Sequence, residues 1–292
     1  MDTNSLIAFL AVVDCGSFSE AADKLFLTQP AVSKRISGLE DQLGTSLFDR
    51  TSRRVSLNEA GRTLLPRARQ MLDLLSDTRQ ELTNLNGEIK GPLTIATSHH
   101  IGLHRLPTVL KAFSSRYPNV DLDIRFVDSE ASYEMLSRGE VELGVITLSP
   151  ETPSHVISEK IWDDPLVFMA AKDHPLAGKK NVSTKQLSEY QAVLPGSKTF
   201  TYGLVQRLFK EERLILKTAM STNYLETLRM LASIGLAWCI LPKTMLGDDL
   251  VELDVLLKEG RHPPVRQLGI ICHRKRTLSN SANAFLDLVK NN

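Results

Sequence analysis

Between Ser17 and Gly44 the chain carries the start and stop signals of two helices in immediate succession, and no other stretch restricts its fold so tightly. Ser17 is followed three residues later by Glu20, a pair suited to capping each other's free amides. From Phe18 to Leu25 the apolar positions Ala21, Ala22 and Leu25 share one face. Thr28 then suits an N-cap, and Pro30 suits the first turn of a helix, where its missing N–H needs no partner. Val32, Ile36, Leu39 and Leu43 recur on one side of that helix, and Gly44 closes it. Upstream, Leu6, Phe9, Leu10 and Val13 give Asn4 to Asp14 one apolar face, ended by Gly16. Two short helices joined by a tight connection, with a third to cover them, is the layout of a helix-turn-helix.

The outer face of the third helix has the chemistry to read DNA. Gln29, Ser33 and Lys34 point away from its apolar side: Gln can bond both edges of adenine, Lys reaches guanine acceptors, and Ser suits a base edge or a phosphate. Thr28 and Arg35 flank them in the expected contact set. Leu47 to Leu57 then reads as a hairpin whose tip presents Arg50, Arg53 and Arg54, a wing for phosphates or a minor groove. The overall charge of +1 hides this pattern. Residues 1–60 hold six cations against eight acids, yet five of the six fall between Lys34 and Arg54.

At these residues the chain resembles the LysR-type transcriptional regulators. The likeness is carried by Phe18-Ser19-Glu20-Ala21-Ala22, Leu25, Thr28-Gln29-Pro30-Ala31-Val32-Ser33, Ile36, Leu39-Glu40, Leu43-Gly44 and Leu47-Phe48-Asp49-Arg50, and it continues through Leu57-Asn58-Glu59-Ala60-Gly61. It is specific over the first sixty-five residues and looser beyond. The resemblance implies a homodimer or a dimer of dimers, recognition of DNA by Gln29, Pro30, Ser33 and Lys34 with wing contacts from Arg50, Arg53 and Arg54, and an effector domain shaped like a periplasmic binding protein. RNA polymerase is a further partner to be considered. No cofactor and no membrane association are expected.

From Asn58 to about Asn86 the chain reads as one long helix. Leu64, Ala68, Met71, Leu75, Thr78, Leu82, Leu85 and Ile89 recur in alternating steps of four and three, a coiled-coil seam that predicts pairing with a second copy. Asn86-Gly87 and Gly91-Pro92 mark a hinge. The domains expected are therefore 1–60 for DNA binding, 61–90 for linker and dimerisation, and 91–292 for effector binding.

The remainder alternates strands and helices, which argues for a mainly parallel α/β sheet with helices on both faces. Strands are read at Leu93–Thr97, Val120–Val127, Leu143–Thr147, Leu166–Ala171, Ala192–Leu194, Ile215–Ser221, Leu236–Leu241 and Gln267–Cys272, with one helix from Ile101 to Arg116. Two lobes are expected, 91–162 with 265–292 and 163–264, with crossovers near Ile161–Pro165 and His262–Val265. Ligands in such folds sit beyond the carboxyl ends of the strands. That rule selects Ser98, His99, His100, Thr147, Thr199, Phe200, Thr201 and Asn223 as effector contacts. The turn Ile95 to His100 with Leu106-Pro107 is similar to the cysteine-biosynthesis regulators of the family, in which hydroxyl residues hold an inorganic anion. Here His100 stands where a threonine is usual and Ile101 where a polar residue is common. The resemblance thus leaves open a small anion and a larger organic acid.

Other readings find less support in the residues. His100 and His104 lie four apart beside His99, a spacing for zinc or nickel, but no acid or thiol is near them in sequence, and a metal is not expected. Cys15, Cys239 and Cys272 show no paired spacing, and two of them fall in apolar strands, which favours packing over redox sensing. No G-x-S-x-G, Walker or H-E-x-x-H pattern points to an enzyme. A solute-binding protein shares the bilobed fold but has no use for a winged helix, and an architectural DNA-binding protein has no use for a cleft. Without a leader-like start or a membrane-length apolar run, a soluble cytoplasmic protein is expected.

Overall fold

The apolar stretch before Gly16 folds as α1 (Thr3–Cys15), and Gly16 ends it in the left-handed region at φ 67°, which a side chain would resist. In the computed structural model, which describes residues 1–49, 55–257 and 264–291, the chain divides into two units, Met1–Asn86 and Gly87–Asn292. In the first unit α2 (Phe18–Lys24) begins where the Ser17 hydroxyl accepts the Glu20 N–H at 3.4 Å. Thr28 takes the N-cap position of α3 (Gln29–Leu43), but its hydroxyl makes no capping bond. Its carbonyl starts the helix instead, accepting the N–H groups of Ala31 and Val32 at 3.0 and 3.1 Å. A short hairpin follows, with β1 (Phe48–Asp49) antiparallel to β2 (Ser56–Leu57). The arginines expected at its tip, Arg50, Arg53 and Arg54, lie outside the described residues.

One core unites these elements: Phe9, Val12, Ala21, Val32, Ile36, Leu39 and Phe48 are buried together with Ala68 of α4 (Glu59–Asn84). The Phe48 ring meets Phe9 and Phe18 at 5.6 and 5.7 Å, geometry that adds to simple area burial. Glu40 is buried beside them, where its carboxylate accepts the Leu47 N–H at 2.7 Å and so fixes the turn into the hairpin. Beyond Ala68 the seam of α4 is unburied: Met71, Leu75 and Leu82 are 40%, 43% and 61% exposed. The helix stops at Asn84, so Leu85 and Ile89, expected to extend the seam, fall past its end.

In the second unit the chain runs β3 (Gly91–Thr97), α5 (His99–His104), α6 (Pro107–Arg116), β4 (Val120–Phe126), α7 (Ser129–Arg138) and β5 (Leu143–Thr147). It continues through β6 (Val156–Ala171), β7 (Val182–Ser183), α8 (Thr184–Glu189), β8 (Ala192–Leu194), α9 (Phe200–Glu211), β9 (Thr218–Ser221) and α10 (Leu225–Ser233). It closes with β10 (Trp238–Pro242), β11 (Leu250–Glu252), β12 (Val255–Leu256), β13 (Val265–His273) and α11 (Asn280–Lys290). Where one helix was expected from Ile101 to Arg116, Pro107 separates two, because it cannot supply an N–H to the preceding turn. The element β7–α8 lies outside the strands and helices expected from the sequence, although Ser183 and Gln186 form a full capping box there.

The sheet order is β4-β3-β5-β13-β6-β10-β8-β9, with β11 on the edge of β6. Within each lobe β3, β4 and β5, and β8, β9 and β10, pair in parallel. The strands that cross between lobes, β6 and β13, run antiparallel to their neighbours, so the sheet is more mixed than the alternation suggested. The crossover near Ile161–Pro165 is no loop but the middle of β6, whose Val156–Pro165 half pairs with β13 and whose Leu166–Ala171 half pairs with β10 and β11. The second crossover, near His262–Val265, falls partly outside the described residues. Each lobe has its own core. Phe113 packs against Phe285 in the first, and Trp238 stacks on Phe209 at 5.9 Å in the second.

Candidate functional site

Helix α3 presents a strip of polar side chains opposite its buried face. Thr28, Gln29, Pro30 and Lys34 are exposed, and Ser33 and Arg35 are half-buried. Gln29 Nε2 donates to Ser33 Oγ at 3.2 Å, which lays the amide along the helix and leaves its carbonyl oxygen available. The turn into this helix contains a feature that apolar spacing does not show. Phe26 is 97% exposed and adopts φ 53°, a left-handed conformation that a non-glycine residue rarely takes.

The second cluster forms where the carboxyl ends of the strands in both lobes face each other. A cavity of about 310 Å³ there is lined by Ser98, His99, His100, Thr147, Thr199, Thr201 and Asn223, all singled out from the sequence. The eighth, Phe200, is not among its lining residues. The Phe200 ring meets Tyr133 of the opposite lobe at 6.1 Å, and its N–H donates to Glu130 Oε1 at 2.6 Å. Asn223 closes a parallel link, donating through Nδ2 to Asp128 Oδ2 at 2.7 Å. Asp128, Glu130, Tyr224 and Arg266 also line the cavity and escaped the sequence reading. Asp128 and Glu130 follow the carboxyl end of β4 at the start of α7, where the strand-end rule could have found them, whereas Arg266 lies on a crossover strand.

Charge in this cleft is held in pairs. Arg266 donates through Nε and Nη2 to Asp164, and both side chains are almost fully buried. Burial pushes the Glu130 carboxyl above the usual carboxylate range, with the Phe200 N–H opposing the shift. Burial, reinforced by the Arg266 charge, lowers His100 to about 4, so this ring is neutral at ordinary pH. Thr147 N donates to Ser129 Oγ at 3.1 Å, and the Tyr133 hydroxyl accepts the Ser149 N–H at 2.9 Å. Both carboxylates that bridge the lobes rest on N–H groups that an incoming acid would also seek.

Beside this cavity, Glu226 of α10 completes a group of residues far apart along the chain. Its Oε1 lies 3.4 Å from His100 Nδ1 and 3.1 Å from His104 Nε2. Elsewhere, Cys239 is buried in β10, and its thiol is pushed up to about 12 by desolvation. Among the described residues no single helix is long and apolar enough to cross a membrane.

The two units match known families. Residues 3–62 match the bacterial regulatory helix-turn-helix protein model of the lysR family, and residues 86–292 match the LysR substrate binding domain. The RuBisCO operon transcriptional regulator of Allochromatium vinosum is 31% identical over 289 residues, covering 97% of this chain and 94% of that protein. The fold is shared with CbnR solved in complex with its target DNA, at TM-score 0.60 and 21% identity, covering 100% of this chain and 99% of CbnR. It is shared also with the regulatory domain of CcmR from Synechocystis PCC6803 in complex with 2-PG, at TM-score 0.61 and 22% identity, covering 69% of this chain and 97% of that domain. A helix-turn-helix with an exposed polar strip, followed by a bilobed α/β domain around a polar cleft, is thus matched along nearly the whole chain. The chain belongs to the LysR family of DNA-binding transcriptional regulators with an effector-binding domain.

Proposed function

We propose that this regulator binds a two-fold DNA site as a dimer or tetramer, acts in the cytoplasm, and answers to a small organic acid or anion held in the cleft. Gln29, Ser33 and Lys34 of each α3 read base edges, with Thr28, Pro30, Arg35 and the wing arginines 50, 53 and 54 positioning the backbone. The exposed ridge of Met71, Leu75 and Leu82 on α4 pairs two copies, setting their recognition helices about one turn of DNA apart.

The observation that carries the effector reading is the pair of bridging carboxylates. Glu130 on the Phe200 N–H and Asp128 on the Asn223 amide support a cleft that takes carboxylate groups, since each places a carboxylate on a donor of the opposite lobe. An external acid that takes either position bonds the same donors, with Ser98, Thr147, Thr199 and Thr201 supplying hydroxyls. It shifts the balance between lobe arrangements only through its differential affinity for them. The domains follow: 1–60 for DNA binding, 61–90 for dimerisation and 91–292 for sensing.

Both tryptophans, Trp162 and Trp238, lie in the sensing unit, so thermal unfolding of the full chain followed by tryptophan fluorescence reports that unit alone. In a panel of organic acids and inorganic anions, a ligand at a hundred times its Kd adds about 2.7 kcal/mol, roughly 5–10 °C for a domain of this size. Thr201→Val and Ser98→Ala lose that shift. A panel without effect, or variants that respond as the parent does, contradicts the reading.

A further inference from the structure

We propose that His100, His104 and Glu226 form a binding site for a first-row divalent cation of the zinc or nickel kind, which ties the two lobes together. His100 and His104 stand one turn apart on α5, in the first lobe, and Glu226 stands in the first turn of α10, in the second. One donor atom from each lies within 4.8 Å of the other two. A tetrahedral centre with bonds of about 2.0–2.1 Å sets its ligands about 3.3 Å apart. Glu226 Oε1 is 3.4 Å from His100 Nδ1 and 3.1 Å from His104 Nε2, so two of the three separations match, and the two imidazole nitrogens lie within 4.8 Å of each other. The two rings converge, with centroids 4.6 Å apart at 45°.

Hydrogen bonding alone leaves this cluster incomplete. Glu226 Oε2 and His99 Nδ1 are buried 3.6 Å apart, and neither has a hydrogen-bond partner. Orphaned polar atoms of this sort are costly, and a cation that takes the Glu226 carboxylate through both oxygens gives Oε2 the partner it lacks. Two imidazoles with one carboxylate select zinc or nickel over magnesium or calcium, which prefer all-oxygen shells. His104 is 50% exposed and opens into a depression shared with Arg105 and Arg229, so an ion reaches the site from outside the effector cavity. The positive charge of those arginines is already engaged, by Asp164 and Trp162 for Arg105 and by Asp249 for Arg229. The bridge joins the same lobes that the effector cleft joins. Metal binding itself does not rest on the effector reading, and the experiment uses Zn2+ alone, with no acid present.

The test is calorimetric titration of the full-length, chelator-treated chain with Zn2+ alone, with unfolding followed by tryptophan fluorescence. One Zn2+ per chain is expected, with a raised melting temperature of the sensing unit. His104→Ala and Glu226→Gln, both at partly exposed positions, each weaken binding at least tenfold and abolish the thermal shift. His155→Ala removes an exposed histidine beside His273 and leaves both unchanged. The proposal is overturned if Zn2+ does not bind, if it binds equally well to both ligand variants, or if the variants lower stability by the same amount with and without metal. The last result marks the cluster as a hydrogen-bonded clasp.

Discussion

Arg266 and Asp164 stand directly opposite each other on β13 and β6, the two strands that join the lobes, with side chains 6% and 1% exposed. Replacing Arg266 by Met keeps most of its bulk and leaves the Asp164 carboxylate buried without its main partner. Breaking such a pair costs about 3–5 kcal/mol, mainly because the remaining charge is stranded away from water. Arg105 approaches the other Asp164 oxygen at 3.8 Å and is 30% exposed, so it recovers part of the loss and places the expected value near 3 kcal/mol. With an m-value of about 2 kcal/mol/M for a unit of this size, the urea midpoint falls by about 1.5 M. Tryptophan fluorescence of the full chain isolates this transition, since Trp162 and Trp238 are the only tryptophans. The double variant Arg266→Met with Asp164→Asn removes both charges and should recover to within about 1 kcal/mol of the parent. If it is as unstable as Arg266→Met alone, the loss stems from packing around the guanidinium, and the stranded-charge argument fails.

Three further outcomes follow from single positions. A Cβ on Gly61 would overlap the Leu47 carbonyl oxygen and the Leu57 side chain, where the hairpin meets α4; Gly61→Ala should destabilise the first unit by about 1–3 kcal/mol in far-UV circular dichroism melts, and an unchanged melt would refute that close approach. Phe26 holds a left-handed φ with its ring in solvent, so Phe26→Asn should stabilise the same unit by about 1 kcal/mol, and a destabilised variant would mean that the ring packs after all. Cys239, buried and with its thiol at about 12, should resist a thiol reagent in the native chain and react on unfolding; rapid native labelling would reopen redox sensing.

Legibility in the sequence tracked how local the determining interaction is. Gly16, Gly44 and Gly139 all end helices in the left-handed region, as their positions after apolar-periodic runs suggest. The strand at Leu143–Thr147 was readable because burial on both faces makes it apolar throughout. The first half of β6 was not, because Glu159, Lys160, Asp163 and Pro165 break that pattern, and its pairing with β13 is decided about a hundred residues away. In the cleft, seven of the eight residues chosen from strand ends line the cavity, since a backbone rule locates them. The groups that complete it, Glu130 on Phe200, Asp164 on Arg266 and Glu226 on two histidines, pair across separations that no local pattern encodes.

The central proposal is that a ligand in the cleft changes how the paired helices hold DNA, and a nuclease footprint on a two-fold promoter site selected for binding to this protein tests it most directly. With the stabilising acid present, the parent protein should change its footprint or its induced bend, whereas Thr201→Val should bind the site with unchanged affinity and show no such change. Lys34→Ala should do the reverse, losing DNA affinity while its sensing unit still responds to the acid. If Thr201→Val and Lys34→Ala lose DNA binding alike, or if the acid stabilises the parent without altering its footprint, the coupling between cleft and helices is contradicted.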